Sequence, residues 1–435
     1  MNAQAGTKKA LQLCLLAAAN YLLFYGLGIF LARTIGIAGF GRYNVAVATF
    51  TMLASLATLG LEKYALRVFP RYIEQGNWNH AHGFAQFSFI TVLAISSLGA
   101  IAWVMGNWGS YDVFHTYPLA AAALIVIFVT SMALVMLLIE MLSAGGNAVL
   151  ATLIYRLFLP LGVVSFIGAV YLLGGGITVR RAVICYGASW VVSLAVIVQL
   201  GRRTLPAKIW KAGARVKSGQ WLRKAAPFLM QSFMMTQFAS SGVIVLELLH
   251  SGDSEIGIYA AAMQVASFAV LLATATNRMY APVGSVLLDR RDWDGIMRLK
   301  RERHAWVDPM VLVFLGVILL FGRSIMGVYG PEFSRGYPAL CILAFGVAVS
   351  VRYAMAPLAL QFFGQARWVL GAICVAGVLN IALLAILGGA FGATGAAVAY
   401  SASLGGMSLA MYFKALSWVR RQQAGTPETA AGTDR

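Results

Sequence analysis

The chain has 435 residues, 60% of them hydrophobic and only 11% charged. About a quarter of the residues of a soluble protein are charged, so a water-soluble globular fold is excluded. The 33 Lys and Arg against 15 Asp and Glu give a net charge of +18. In so apolar a chain that excess must be tested against membrane topology before it is read as affinity for nucleic acid or another polyanion. Cys14, Cys185, Cys341 and Cys374 all lie in apolar stretches without a CxxC spacing or a histidine partner, which argues against a disulfide scaffold and against metal ligation.

A membrane-spanning helix needs about 20 apolar residues. Twelve such stretches follow in order: 10–32, 44–69, 84–105, 118–142, 150–173, 181–201, 227–249, 257–282, 306–328, 338–362, 367–389 and 393–416. The first, behind Lys8 and Lys9, exceeds the roughly 7–15 apolar residues of a cleavable signal and is read as a retained span. Pro70, Pro118, Pro206, Pro227, Pro282 and Pro338 fall at or near span edges, where a missing N–H does least damage. With the N-terminus inside, the 33 basic residues sort into 24 inside, 6 outside (Arg33, Arg42, Arg180, Arg181, Arg323 and Arg335) and 3 within spans. The positive-inside rule therefore sets the orientation, and most of the +18 is a topology signal.

The longest basic segment, 202–224, carries eight cations and no acid, interleaved with Ile209, Trp210, Val216, Trp221 and Leu222. Two readings of it stand: a helix lying on an anionic inner leaflet, and a solvated linker between two bundles.

The chain also repeats itself. Residues 40–65 align without gaps to 256–281 at an offset of 216, pairing Gly41 with Gly257, Tyr43 with Tyr259, Leu56-Ala57-Thr58 with Leu272-Ala273-Thr274, and Tyr64-Ala65 with Tyr280-Ala281. A second match, 182–189 against 396–403, pairs Tyr186 with Tyr400 and Ser189 with Ser403. Both offsets are close to half the chain and each half holds six spans, so the halves enter the membrane in the same direction. Parallel repeats related by an axis along the membrane normal are a transporter architecture. The organisation expected is an N-terminal six-helix lobe (1–201), a basic inter-lobe linker (202–226), a C-terminal six-helix lobe (227–419) and a polar tail (420–435) of disordered composition. The fold class is an all-α polytopic membrane protein of about 12 transmembrane helices in two parallel lobes.

The stretch LARTIGIAGFGRYNVAVATFTMLASLATLGLEKYALRVF (31–69) combines a Gly-rich turn, Phe-Gly-x-Tyr, and a helix ending in Leu-Gly-Leu-acid with a downstream Arg. With GIYAAAMQVASFAVLLATATNRMYAP (257–282) and NIALLAILGGAFGATGAAVAYSAS (380–403), it resembles the polysaccharide flippase branch of the multidrug/oligosaccharidyl-lipid/polysaccharide exporter superfamily. The resemblance covers most of the chain in order and spacing and rests on small and apolar residues. It implies a V-shaped, two-lobed exporter that moves undecaprenyl-pyrophosphate-linked oligosaccharide from the inner to the outer leaflet. It also implies a bacterial cytoplasmic membrane, both termini cytoplasmic, and polysaccharide assembly proteins as partners. Many relatives have about fourteen spans; twelve would lack a terminal pair.

Charges within spans cost about 2.5–3.5 kcal/mol each and so mark the interior or a wet cavity. The cations are Arg156, Arg278 and Arg352, and the acids are Glu62, Glu140, Glu247 and Asp308. The repeat sets Glu62 opposite Arg278, which places them facing each other across the cleft. Arginine holds phosphate oxygens in a fork and stays protonated, so Arg278, Arg156 and Arg352 are candidates for the head group. The alternative for each is a helix cap, an ion pair or a snorkelling contact. Arg33 and Arg67, near span ends, are candidates for entrance or exit, with snorkelling as the plainer reading. Tyr64 and Tyr280, equivalent in the two halves, are candidates for lining the path. Glu62 leads the acids as the group that couples export to H+ or Na+; a static ion pair locking the lobes is the alternative.

Other patterns are weaker. Gly36, Gly39 and Gly41 do not form GxGxxG and follow no strand, so they read as a tight turn, and no GxxxxGK[ST] is present. Asp292-Trp293-Asp294 has the DxD form of nucleotide-sugar enzymes, but its connection has no room for a catalytic domain. His80 and His82 lack a third ligand, so neither metal nor cofactor is expected. Trp103, Trp108, Tyr111 and Tyr117 read as an outer aromatic belt. A multidrug cation antiporter of the same superfamily is the nearest rival, and a membrane polymerase or ligase of lipid-linked glycans the more distant one; the expectation is a transporter, not an enzyme.

Overall fold

The computed structural model describes residues 3–107, 118–290 and 292–425, without the side chains of 3–15, 118, 275, 278, 279, 281, 282, 289 and 423–425. Trp108, Tyr111 and Tyr117 of the expected belt, and the side chain of Arg278, therefore lie outside the described residues. All described elements are helical.

Nine of these helices are long and apolar enough to cross a membrane, and three are of double length: Leu16–Ala57 (42 residues), Leu119–Leu172 (54) and Ala366–Gln422 (57). At 1.5 Å per residue, each would run about 60 Å or more if straight, twice the apolar core of a bilayer. Each instead reverses at one glycine, Gly36 (φ 73°), Gly146 (φ 95°) or Gly392 (φ 53°). These left-handed values strain any residue with a Cβ. Resolving the three hairpins gives twelve spans among the described residues: α1 (3–35), α2 (37–74, interrupted at 58–60), α3 (Trp78–Gly106), α4 (Pro118–Leu142), α5 (148–172), α6 (Val179–Thr204), α7 (Ser218–Leu248), α8 (253–289), α9 (Trp293–Gly327), α10 (337–362, interrupted at 353–355), α11 (366–391) and α12 (393–425). Several begin or end beyond the apolar stretches. In particular α2 starts at 37 rather than 44, because Gly36 makes the whole turn by itself.

The first and last described residues and the turns at 75–77, 143–147, 205–217 and 363–365 share one face, called here the terminal face; Gly36, 173–178, 249–252, 328–336 and Gly392 share the other, the Gly36 face. In the first lobe α4 packs on α3 and α6, and α5 on α6; in the second α10 packs on α9 and α12, and α11 on α12. The same contacts recur six helices later, as the repeat requires. Large apolar side chains such as Leu98, Leu320 and Val375 stay exposed, the inverse of a soluble protein and the surface that lipid would cover.

Between the lobes the chain is docked on the protein. Ile209 of the short helix Ala207–Lys211 and Trp221 are buried. The Trp221 indole N–H donates to the Tyr72 hydroxyl (3.1 Å). His82 Nδ1–H donates to the Ala212 carbonyl (2.6 Å), and Arg215 N–H to Asn79 O (3.0 Å). Trp210 and Val216 remain exposed. Neither reading from sequence describes this arrangement fully, since the apolar residues divide between the first lobe and the surroundings. Asp292, of the DxD pattern, caps α9 by accepting from Gly295 N (2.7 Å).

Candidate functional site: the seam between the lobes

The lobes meet where α1 and α2 pack on α7 and α8. Under the repeat α1 corresponds to α7 and α2 to α8, so the α1–α8 and α2–α7 contacts exchange with each other. The axis shows most directly at two glycines. A Cβ on Gly41 would lie 2.2 Å from the Asp253 carbonyl oxygen, and one on Gly257 would lie 2.3 Å from the Ile37 carbonyl oxygen. Residues 37 and 253 are themselves repeat partners at offset 216. The backbones of α2 and α8 therefore touch at a distance only glycine permits.

Around this contact the Gly36 half of the seam is filled by rings from both lobes. Tyr25 meets Tyr329 (centroids 5.8 Å) and Phe268 (6.1 Å), and Phe40 meets Tyr329 (6.1 Å) and Phe333 (6.0 Å). Inside the cluster Gln264 is a bridge: its Nε2 donates to the Phe24 carbonyl (2.6 Å) and its Oε1 accepts from the Tyr329 hydroxyl (3.0 Å). At the rim Arg42 pairs with Asp253 (2.6 Å), and Arg33 Nε donates to the Val328 carbonyl (2.8 Å). Both contacts join first-lobe side chains to the second lobe. Towards the terminal face the α2–α7 side stays closed through Ser55 and Thr236 (2.9 Å) and through Gly60, whose Cβ position lies 2.2 Å from Leu229 N.

The residues expected to act divide among several places. Glu62 is 4% exposed in the first turn of Leu61–Glu74, just after the break in α2 at Leu59 and Gly60. A helix N-terminus favours negative charge there. Its Oε2 has no hydrogen-bond partner, and among the described residues it joins no ion pair. The facing of Glu62 and Arg278 rests on an Arg278 side chain outside the described residues. Glu140 instead pairs with Lys63, joining α4 to α2. Arg156 occupies a π-helical turn (Ile154–Phe158) and interacts electrostatically with Tyr155 and with Tyr21 of α1. Tyr155 also lies within electrostatic reach of the Lys63–Glu140 pair.

Tyr64 is buried against Phe84 and Phe228 (6.0 and 6.2 Å) and serves as seam packing, whereas its equivalent Tyr280 is half-buried near Arg303. Arg67 is exposed. Glu247 ends α7 on the Gly36 face, beside Asp253, His250 and Arg42. Arg352 Nη2 donates to Asp308 Oδ2 (2.9 Å), which brings two of the expected residues together between α9 and α10.

Three residues at work here escape the sequence reading. Gln264 is one of two amides, with Asn277, in the largely apolar α8. Glu255 accepts from Ala393 N (2.9 Å) and so caps α12 at its hairpin. Arg303 follows five other cations in 290–301 and so reads in the chain as one more topology charge, yet it is buried.

A family model described as polysaccharide biosynthesis protein matches residues 7–285. No curated protein matches the chain. Among solved structures, an inward-facing multidrug resistance MATE family transporter of the MOP superfamily superposes with a TM-score of 0.73 at 14% identity, over 94% of this chain and 96% of that one. An outward-facing MATE family transporter of the same superfamily gives 0.65 at 12% identity, over 96% and 97%. A mutant Vibrio cholerae MATE transporter gives 0.64 at 13%, over 96% and 98%. At such identities the likeness is one of fold.

Proposed function

Because the chain belongs to the polysaccharide biosynthesis protein family and has the fold of MOP-superfamily transporters, we propose that it is a secondary transporter that flips an undecaprenyl-pyrophosphate-linked oligosaccharide from the inner to the outer leaflet by alternating access. The observation that carries this reading is the seam. Its Gly36 half is filled by side chains from both lobes and held by bonds that can break, and its α1–α8 and α2–α7 sides exchange under the repeat. An alternating-access transporter needs such a closure, one that can be released on one face and formed on the other. The basic residues gathered on the terminal face support a cytoplasmic assignment for that face and for both termini.

In this reading Arg156 and Arg278 neutralise the pyrophosphate, which would otherwise meet a prohibitive desolvation cost in the apolar core. Glu62, buried and without an ion-pair partner among the described residues, is the acid that exchanges a proton or sodium ion. A multidrug exporter is the second reading, because the solved structures with this fold are named for multidrug resistance. Deleting the gene separates the two. Loss of surface polysaccharide with accumulation of lipid-linked oligosaccharide on the inner leaflet is expected; drug sensitivity with unchanged surface glycans would overturn the flippase reading.

A further inference from the structure

The two lobes carry a matched pair of cavities near the terminal face. The first-lobe cavity, of about 310 Å³, lies among α3, α4 and α6; the second-lobe cavity, of about 120 Å³, lies among α8, α9, α10 and α12. Adding 214 to each of the 14 residue numbers lining the first gives a residue lining the second in 12 cases. The walls are thus the same place in the fold, but their chemistry has diverged. Gln86, Phe89, Ile90 and Leu138 in the first lobe stand where Lys300, Arg303, His304 and Arg352 stand in the second, and Val198 stands where Tyr412 does.

Three cations therefore line an otherwise apolar second-lobe cavity. Arg303 is 2% exposed and spends Nη1 on the Arg352 carbonyl (2.6 Å) and Nη2 on the Val351 carbonyl (2.9 Å), leaving Nε without a partner. Lys300 sits over the Tyr412 ring (4.9 Å) and Arg352 over the Tyr353 ring (5.6 Å). The acid at this site is Asp308, paired with Arg352 and 3.9 Å from His304 Nδ1. One carboxylate against Lys300, Arg303 and Arg352 leaves an excess of positive charge in a site of low polarity, which an anion would compensate. The rest of the wall, including Leu288, Met355, Ala359 and Phe362, suits a hydrocarbon chain.

We propose that the second-lobe cavity binds an anionic phospholipid of the terminal-face leaflet, its phosphate held by Lys300, Arg303 and Arg352 and its chain laid on the apolar wall. The site lies within one lobe and does not depend on what the seam carries. The duplicated groove of the first lobe has one cation, Arg202, in its wall and none at the places of Lys300, Arg303 and Arg352, so the fold alone does not impose the cluster.

The test uses the full chain in nanodiscs containing phosphatidylglycerol or phosphatidylcholine of matched chains, with retained lipid counted by native mass spectrometry. Wild-type protein is expected to retain phosphatidylglycerol over phosphatidylcholine by about tenfold or more, and Lys300→Gln/Arg352→Gln to abolish the preference. Gln86→Leu, in the first-lobe cavity, is expected to keep it. Should the double variant not fold, Lys300→Gln and Tyr412→Leu singly are each expected to lower the preference about threefold. An unchanged preference in folded variants would overturn the site. Stabilisation by inorganic phosphate as strong as that by phosphatidylglycerol would overturn the lipid in favour of free phosphate.

Discussion

Gly41 and Gly257 stand at equivalent places in the two halves of the chain, and each presses its α-carbon against a carbonyl of the opposite half, at Asp253 and Ile37 respectively. The pair lies beside the repeat axis and sets how closely α2 and α8 approach on the Gly36 face.

A side chain at either glycine must part the helices there, because the obstacle is backbone and cannot rotate away. Gly41→Leu and Gly257→Leu are expected to destabilise the closed Gly36 half by about 2 kcal/mol or more and to cut transport at least tenfold. Spin labels at Gly176→Cys and Glu332→Cys, on opposite lobes, should move apart in both variants. Gly26→Ala, where the added Cβ meets nothing within 4 Å, should change neither readout.

Gln264 holds two lobes through one amide, so its loss leaves the Phe24 carbonyl and the Tyr329 hydroxyl without their partner. Gln264→Leu is expected to cost about 1–2 kcal/mol in thermal unfolding in detergent. Tyr329→Phe removes one of the stranded groups, so the double variant should lose less than the two single losses added together. Simple additivity would show that the bridge contributes nothing.

For Glu62, the coupling role predicts that Glu62→Gln keeps normal expression and folding while transport falls about tenfold and stops responding to the ion gradient. A folded variant whose transport still follows the gradient would leave Glu62 with only its position at a helix N-terminus.

Arg303 ties the carbonyls at the end of the first segment of α10 to α9 with two fork nitrogens. Lysine supplies a point charge and no fork, so Arg303→Lys is expected to lose about 2 kcal/mol of stability despite the retained charge. An unaltered unfolding temperature would show that charge alone suffices there.

Much of this architecture was legible in the chain. Apolar length gives the spans, and the recurrence of Gly41, Tyr43 and Tyr64 at offset 216 points to two parallel lobes. These are local or periodic properties, set by the cost of placing polar groups in hydrocarbon wherever the chain folds. The site was less legible. Gln264 reaches Phe24 across 240 positions, and nothing near either residue announces the other. Arg303 reads as one topology charge among several until burial singles it out. Arg352 and Asp308, both marked as costly charges, turn out to pair with each other.

The sequence by itself determined that this protein spans a membrane twelve times in two similar halves, because hydrophobic length and glycine hairpins act within short stretches of chain. Which groups close the seam, which charges find partners, and which cations gather in one cavity were decided only by tertiary packing, since a charge in an apolar medium takes its meaning from the few ångströms around it.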